Sequence, residues 1–422
     1  MTTSVRTPRG RLIVLAIMLF LEHAVLGAWV PLLQLHLRDL GYSGTQIASC
    51  YATLAIAAIF APWLAGQLAD RVMPAQWVMF ASHLGGAVLL WCAAGSVRFE
   101  VTLVLLQLNA LVYMPTLALS NLIAFRHLTD REQEFGYVRL WGTASWIVVA
   151  GLLGVWLSRP SWLLIAAGAG PVDGLRLGAM LSVALAVFSL ILPATPPENA
   201  GGSRLAALGA VRMLRDRSCA VLMLVSFLLA LAMPFVYPFG SLFLRSLGVA
   251  QAGVPPLMAI GQAGEIVAFV LLGLSLGRFG VKVTFLIGIA SWMVRFAIWS
   301  FGGPWPLIVA SLGLHGFCYA FVFGLGQMFV DRHADPDTRA SAQALHLVVT
   351  FGFGSWLGNL LGGLAFDVFQ RAGSGATPVT DFTQFYLWPT LGCAVCFVIF
   401  ASFFKTPRLR EARPAPPPDL PM

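Results

Sequence analysis

The sequence predicts an all-α membrane protein, with twelve transmembrane helices in two pseudo-symmetric halves of six. Three observations lead to this prediction: a composition poor in charge, twelve long apolar stretches, and a repeat that relates the two halves. Of the 422 residues, 58% are hydrophobic and 10% are charged, and the mean hydropathy is +0.82. Soluble domains carry about 25% charged residues because their surface must be hydrated. This composition excludes an ordinary soluble enzyme and a disordered chain, and it requires lipid as a second solvent.

Each apolar stretch reaches the roughly 20 residues that cross a hydrocarbon core of about 30 Å. We number them spans 1 to 12, and they cover residues 11–36, 45–69, 74–95, 100–125, 137–158, 175–194, 218–244, 252–277, 282–301, 304–330, 340–366 and 382–404. Span 1 begins like a signal peptide, because Arg6, Arg9 and Arg11 precede an apolar run. It continues through Glu22 to about Leu37 without a cleavage site, so we expect it to be retained as a helix.

Cations are distributed unevenly between the two sides of the predicted bundle. If both termini lie inside, eighteen of the 26 Lys and Arg residues fall in inner segments and six in outer ones, with Arg139 and Arg295 within spans. Lys and Arg close to membrane ends are retained in the cytoplasm. The distribution therefore predicts cytoplasmic termini, and it explains the net charge of +8 without a nucleic-acid partner.

A polar interruption near the middle divides the chain into its predicted parts. These are an N-terminal six-helix half at 1–194, a cytoplasmic linker at 195–217, a C-terminal six-helix half at 218–404, and a tail at 405–422 that we expect to be disordered. Leu37–Gly41 recurs 207 residues later as Leu244–Gly248, and Gly66–Arg71 recurs more weakly at the same offset. Two matches at one offset indicate parallel halves, the organisation of the major facilitator superfamily, in which substrate binds at the midplane between them.

Ionisable residues inside the spans are the first functional candidates, because a charged side chain in the bilayer costs at least about 2.5 kcal/mol. They are Glu22, His23, His83, Arg139, Glu265, Arg295, His315 and His346. Gln262 and Glu265 are three residues apart and share a helical face. Together they could bind a polyhydroxy or nucleobase ligand, and the carboxylate could also take up a proton. A purely structural pairing of Glu265 with a buried Arg is the alternative.

The repeat also relates Arg139 to His346, so we expect the two residues to face a central cavity from opposite halves. An Arg cannot release its proton, whereas a His can titrate. The alternatives are an interfacial cation at 139 and a packing histidine at 346. Glu22 and His23 point about 100° apart, so one of them is expected to face the cavity. We expect Glu22, because it is the more costly residue to expose to lipid, and it becomes a second candidate proton carrier.

The segment from Gly66 to Arg71 predicts a conformational latch between spans 2 and 3. Gly66 lets helices approach, Asp70 can pair with a cation or cap the next helix, and Arg71 supplies positive charge. An ordinary positive-inside turn would explain Arg71 alone. On span 11, Gly354, Gly358 and Gly362 recur every four residues and predict a small-residue packing face. The sequence contains no Walker A, HExxH or partnered GxSxG motif, so we expect no enzymatic activity, cofactor or metal.

Several segments taken together carry a family resemblance. They are Asn109, Tyr113–Asn121, Arg139–Thr143, Gln262–Glu265, Trp292–Phe296 and Arg339–Gln343. In this order they resemble the bacterial nucleoside:proton symporters of the major facilitator superfamily over nearly the whole chain. The resemblance implies a multi-pass protein of the bacterial inner membrane that moves nucleosides with protons. Its expected partners are a nucleoside, protons and the lipid bilayer, and we expect a monomer.

The resemblance also assigns residues to the nucleoside site. It places Arg139, Gln262, Glu265 and Trp146 there, and Asn121 is a further candidate ligand. Span 7 departs from the family around Pro234 and Tyr237, where amide side chains are usual. A Tyr can still stack on a base or donate a hydrogen bond, so we include Tyr237 in the predicted site.

A second departure concerns the proton. Ala320 stands where the family usually has an acidic residue associated with coupling, and Glu22 stands where a neutral Gln is typical. We therefore hypothesise that Glu22 takes over the titrating role, with Glu265 and His346 as the other candidates.

Two alternatives remain open from the sequence. One is a proton-coupled sugar or aromatic-acid symporter of a neighbouring family. The other is a membrane sensor that transports nothing, which an appended soluble domain would favour.

Overall fold

The structure is a computed structural model that describes residues 7–71, 73–159, 168–197, 211–334, 338–371 and 379–405. Most of these residues are helical, because a helix satisfies its own backbone hydrogen bonds in a solvent that offers none. Ten segments of the described chain are long and apolar enough to cross a membrane, judged by length and composition. The prediction of an all-α, multi-pass membrane protein is confirmed. The predicted tail beyond residue 405 lies outside the described chain, as do residues 198–210 of the predicted linker.

The first half contains six helices. They are Arg9–Asp39, Gly44–Arg71, Ala75–Ala94, Phe99–His127, Arg131–Leu157 and Asp173–Ser189. The sixth has 17 residues, or about 26 Å of helix, which is short for a span. It packs against spans 1 and 3 and completes the half.

The second half is more interrupted. Span 7 consists of the helix Arg217–Ala232, a 3₁₀ turn at Met233–Phe235 and the helix Tyr237–Ser246, and spans 8 and 9 form the helical segment Val254–Phe301. Spans 10 and 11 each contain a π-helical segment between two α-helices: span 10 consists of Trp305–Cys318, Tyr319–Gly324 (π) and Leu325–His333, and span 11 of Arg339–Leu347, Val348–Gly354 (π) and Ser355–Val368. Span 12 is Phe382–Phe403. The short strands Gln370–Arg371 and Val379–Thr380 pair between spans 11 and 12. Single 3₁₀ turns lie at Met213–Arg215 and Gln251–Gly253.

The long segment Val254–Phe301 makes two passes rather than one. A single straight helix of this length would extend roughly 70 Å, more than twice the thickness of the hydrocarbon core. Gly280 interrupts it with a positive φ and an extended ψ, a backbone conformation that glycine adopts readily. On either side of it, the hydroxyls of Ser275 and Thr284 are 2.8 Å apart. Nine residues of helix would separate them by about 13 Å, so the chain folds back into a hairpin of spans 8 and 9.

Proline accounts for the break in span 7. Pro234 has no N–H to donate, so the α-helix gives way to a 3₁₀ turn at Met233–Phe235. The helix resumes at Tyr237, which is thereby the first residue of the second segment. Within the second half, Gly354, Gly358 and Gly362 pack against span 7, as predicted. A Cβ at Gly358 would lie 2.5 Å from the carbonyl oxygen of Leu231, so only glycine permits this approach.

The two halves contact each other closely at the end of the bundle where the chain turns from span 1 to span 2. Asp367, at the end of span 11, accepts hydrogen bonds from the backbone N–H groups of Gly44 (2.6 Å) and Thr45 (2.8 Å). It also accepts one from the Thr45 hydroxyl at 2.8 Å. A carboxylate of one half therefore caps the first turn of a helix in the other half, where the helix dipole favours negative charge.

This contact predicts that Asp367→Ala opens the bundle at that end. Loss of a helix cap costs about 1 to 2 kcal/mol, so the ratio of closed to open conformations should fall by roughly five- to thirtyfold. Distances between spin labels in the loop after span 1 and the loop after span 7 measure that ratio.

Asp216→Ala is the matched control. Asp216 caps span 7 through the N–H groups of Ser218 and Cys219, both 2.9 Å away, and these contacts lie within one half. The control variant should lower thermal stability and leave the distance distribution unchanged. Identical distributions for both variants would contradict the assigned role of Asp367.

Candidate functional site

In the second half, a very close contact between spans 8 and 10 positions the candidate site residues. A Cβ at Gly264 would lie 2.1 Å from the carbonyl oxygen of Gly313, and one at Gly316 would lie 2.1 Å from the backbone of Gly264. The helices therefore touch at the level of their backbones, which small residues allow. Gln262 and Glu265 flank this contact, Gln262 buried and Glu265 partly buried.

In the first half, Arg139 and His23 meet above Gly142 on span 5. A Cβ at Gly142 would lie 2.8 Å from Arg139 Nη1 and 2.9 Å from His23 Nδ1, so glycine leaves the room for both side chains. His23 Nδ1 is 2.9 Å from the carbonyl oxygen of Leu19. A carbonyl oxygen only accepts, so Nδ1 carries the hydrogen and a neutral ring presents the lone pair of Nε2.

The two halves bring opposite charges into electrostatic range. Span 5, which carries Arg139, packs against the segment of spans 8 and 9, which carries Glu265. The charges of Arg139 and Glu265 are close enough to influence each other and the hydroxyl of Tyr319 on span 10. Tyr237 lies close enough to Glu265 and Gln262 for both side chains to influence its hydroxyl. No direct ion pair between Arg139 and Glu265 occurs in the part of the chain that the structure describes. The purely structural pairing considered for Glu265 is therefore not the arrangement seen here.

Trp146 and Tyr237 lie beside the same apolar cluster. This cluster belongs to the first half and includes Val25, Trp29 and Val30, so Tyr237 reaches it from span 7 across the interface. Trp146 packs on Gly27 of span 1, with ring atoms 3.3 Å from the position of a Cβ. Asn121 on span 4 has a buried Oδ1 without a hydrogen-bond partner in the described chain.

Glu22 does not open to the space between the halves. Its carboxylate is fully buried among spans 1, 3 and 4, where Oε2 is 3.0 Å from His83 Nε2 and Oε1 is 2.7 Å from the Thr116 hydroxyl. The Tyr113 hydroxyl donates to the backbone carbonyl of Glu22 at 2.6 Å. His23, the neighbour for which we expected no cavity position, points toward span 5 and Arg139 instead.

The structure gives little support for the predicted roles of His346 and of the latch formed by Gly66, Asp70 and Arg71. His346 is fully buried against Gly326 of span 10, and neither ring nitrogen has a hydrogen-bond partner in the described part of the protein. Gly66, Asp70 and Arg71 belong to the helix of span 2, but their side chains lie outside the described residues.

Three residues near the candidate groups have roles that the sequence analysis did not assign. They are Tyr319, whose hydroxyl is within electrostatic range of Glu265 and Arg139, His23, which lies beside Arg139, and His83, which pairs with Glu22. Tyr319 directly precedes Ala320, the position of the missing acid, and Ala320 is buried in the apolar core. A π-helical segment begins at Tyr319, and such segments often occur at functional sites, but a helical periodicity of 3.6 does not reveal one.

An apolar groove lies away from these polar groups. A groove of about 570 Å³ lies along spans 1 and 5, lined by Arg9, Ile13, Ile17, Phe20, Tyr137 and Trp141 among others. Its walls are mostly exposed apolar side chains of membrane-spanning helices, which are expected to contact lipid. Among the residues that the structure describes, no group of three or more His, Cys, Asp or Glu side chains could hold a metal ion.

A bundle of membrane-spanning helices that carries Arg139 and Glu265 on packed spans from the two halves of the chain has the arrangement of a secondary transporter of the major facilitator type. The chain belongs to the family described as Nucleoside H+ symporter, whose sequence model matches residues 11–408. Its membership identifies it as a transporter and not an enzyme.

Similar proteins agree with this assignment. YegT of Escherichia coli (strain K12) is 33% identical over 403 residues, covering 93% of each chain. The nucleoside permease NupG of the same organism is 30% identical over 422 residues, covering 94% of this chain and 96% of NupG. A crystal structure of the nucleoside transporter NupG matches with a TM-score of 0.83 and 29% identity over 93% of this chain and all of that one.

The backbone contact of spans 8 and 10 predicts that Gly264→Ala is strongly unfavourable. The added methyl group meets the backbone carbonyl of Gly313, which cannot rotate away, and overpacking of this kind costs about 1 to 3 kcal/mol. Thermal unfolding in detergent should therefore occur several degrees lower. Gly273→Ala is the control on the same span, because a Cβ there meets nothing within 4 Å. Equal unfolding temperatures for the two variants would show that the contact is looser than described.

Proposed function

We propose that the protein is a nucleoside:proton symporter that works by alternating access to a site between its halves. The observation that carries the proposal is the placement of Arg139 on span 5 and of Glu265 on span 8, two helices that pack against each other across the interface. Ligands drawn from both halves allow one site to open to either side as the halves rock. The similarity to the nucleoside permease NupG supports nucleosides as the substrate class over sugars and aromatic acids.

Polar groups from both halves would hold the nucleoside. Arg139 would donate hydrogen bonds to it from the first half, while Glu265 accepts them from the second. Gln262 can do both, and the unpartnered Oδ1 of Asn121 supports its inclusion as an acceptor. Trp146 would lie against the base, since an aromatic ring offers a base a stacking surface.

Glu265 would also respond to the proton. An ionised Glu265 is attracted to Arg139, and this attraction favours one arrangement of the halves. A protonated Glu265 loses the attraction and still offers a hydroxyl donor to the substrate. Binding of a proton and of a nucleoside at the same carboxylate would thus be linked through the position of the two halves.

Glu22 would hold a second proton, inside the first half. The Thr116 hydroxyl is 2.7 Å from Glu22 Oε1 and 2.6 Å from the carbonyl oxygen of Tyr113, but it has only one hydrogen. An ionised Glu22 accepts that hydrogen. A protonated Glu22 instead donates to Thr116, which then turns its hydrogen to Tyr113. Thr116 can therefore form a hydrogen bond with Glu22 whether Glu22 is ionised or protonated. His83, which contacts the other carboxylate oxygen of Glu22, can share the proton.

The charged and titratable groups around Glu22 support this assignment. His83 faces it from span 3 and Tyr113 from span 4, while His23 and, beyond it, Arg139 lie on the side of span 5. His346 remains a predicted coupling residue, but its two unpartnered nitrogens and its apolar surroundings give it less support.

The arrangement in the membrane follows from the distribution of cations. We propose a monomer in the bacterial inner membrane with both termini in the cytoplasm, driven by the proton gradient without a cofactor. In this orientation the Asp367 contact closes the outer end of the bundle. The segment with Gly66, Asp70 and Arg71 would be the corresponding latch at the inner end.

Glu265→Gln tests the substrate site. The change removes a charged acceptor of hydrogen bonds, which contributes about 1.5 to 3 kcal/mol, so the affinity for uridine should fall by roughly 10- to 100-fold. Calorimetry with purified protein measures the affinity, and a thermal-shift screen of nucleosides, nucleobases, sugars and aromatic acids checks the substrate class. Glu100→Gln, an exposed carboxylate near the start of span 4, is the control and should bind normally. Unchanged affinity of Glu265→Gln would remove Glu265 from the site, and a wild type that binds no nucleoside would refute the proposed function.

Glu22→Gln tests the proton site. A Gln keeps the shape and the hydrogen bond to Thr116 but cannot titrate. In proteoliposomes, accumulation of uridine driven by a pH gradient should fall to simple equilibration, while exchange of uridine at equal pH continues. Accumulation at the wild-type level would assign a structural role to Glu22, and its loss in Glu265→Gln alone would place the coupling at span 8.

A further inference from the structure

Three polar side chains of the second half form a continuous chain of hydrogen bonds that ends at the proposed site. Arg295 Nη1 on span 9 is 3.1 Å from His315 Nδ1 on span 10, and His315 Nε2 is 2.8 Å from the hydroxyl of Tyr237 on span 7. Arg295 is 2% exposed and His315 is 4% exposed. None of the roles assigned above uses Arg295 or His315.

The direction of this chain follows from the chemistry of its first member. A guanidinium only donates, so His315 Nδ1 must be the acceptor and carries no hydrogen. A neutral imidazole then has its hydrogen on Nε2, and this group donates to the Tyr237 oxygen. The hydrogen of the Tyr237 hydroxyl is consequently not needed for His315 and is free to be donated elsewhere.

The surroundings hold the first two members in place. The guanidinium of Arg295 lies over the ring of Trp299, 4.7 Å from its centroid, and no described carboxylate forms an ion pair with it. A cation over an aromatic face is attracted by the ring. The His315 side chain packs against Gly261 of span 8, where a Cβ would lie 3.2 Å from that of His315.

We infer that Arg295 and His315 are positioning residues that make Tyr237 a hydrogen-bond donor to the substrate. Tyr237 lies beside Gln262 and within range of Glu265, at the boundary with the first half. The inference rests on the proposed nucleoside site and adds a specificity rule to it. The substrate atom that faces Tyr237 is an acceptor, such as a base carbonyl oxygen, an unprotonated ring nitrogen or a ribose oxygen. An exocyclic amine is rejected at this position, because it would leave two donors facing each other.

The tautomer of His315 gives a test that needs no substrate. Nitrogen-15 spectroscopy of the full-length protein with labelled histidine, in lipid nanodiscs, distinguishes the two ring nitrogens. His315→Gln identifies the signals by their disappearance. We expect one neutral form with the hydrogen on Nε2, and Arg295→Met should convert it to a mixture of tautomers. A hydrogen on Nδ1 in the wild type, or a doubly protonated ring, would overturn the inference.

Affinity for uridine tests the donor role. Tyr237→Phe should weaken binding by about five- to tenfold, the contribution of one hydrogen bond. His315→Leu should weaken it similarly by freeing the Tyr237 hydroxyl to rotate. His315→Gln should rescue binding to within about threefold, because an amide oxygen can accept from Arg295 while its NH₂ donates to Tyr237.

Tyr386→Phe is the matched control, since it removes another buried tyrosine hydroxyl of the second half, one that donates to the carbonyl of Phe235. It should leave the affinity unchanged. Equal affinities of His315→Leu and His315→Gln would overturn the positioning role. If the wild type binds no nucleoside, the proposed function fails, and the tautomer measurement still decides whether the hydrogen-bond chain exists.

Discussion

The cost of placing charge in lipid determines where each ionisable residue of this bundle lies. Within the described spans, several such groups are buried among helices and the others are partly buried; the buried ones are Glu22, His83, Arg295, His315 and His346, and the partly buried ones are His23, Arg139 and Glu265. Glu22 is enclosed within the first half, Arg295 within the second, and Arg139 and Glu265 between them. The cost of a charge in lipid is thus reduced in three ways: by a hydrogen-bonded pair, by a cation over an aromatic ring, and by two opposite charges on spans that pack across the interface.

Much of the fold could be predicted from the sequence, because the signals for it are long. A span needs about 20 apolar residues, and the repeat offset of 207 reports a symmetry of the whole chain. Single breaks were harder to foresee. The 3₁₀ turn at Met233–Phe235 has Pro234 as its signal, but the π-helical segments at Tyr319–Gly324 and Val348–Gly354 have no comparable mark. Each widens a helical turn and rotates the rest of its span.

The residue types of the candidate site could be predicted from the sequence, but the directions in which their side chains point were harder to predict. Gln262 and Glu265 share a face, as their spacing requires. For Glu22 and His23, the energetic argument identified the residue that must avoid lipid, but avoiding lipid did not mean facing the cavity. The partners His83 and Thr116 decide the position of Glu22, and they come from spans 3 and 4. Contacts between distant segments cannot be read from local periodicity.

The hairpin at Gly280 has a consequence for how the site moves. It joins the span that carries Gln262 and Glu265 to the span that carries Arg295, with the Ser275 and Thr284 hydroxyls meeting beside the turn. We expect two helices connected so tightly to move as one rigid unit. In the proposed cycle, Gln262, Glu265 and Arg295 would therefore keep their positions relative to one another, whereas Arg139 on the opposite half would change its distance to them. Under this proposal, the second half would determine which substrate is selected, and the movement of the first half relative to it would determine when the substrate is released.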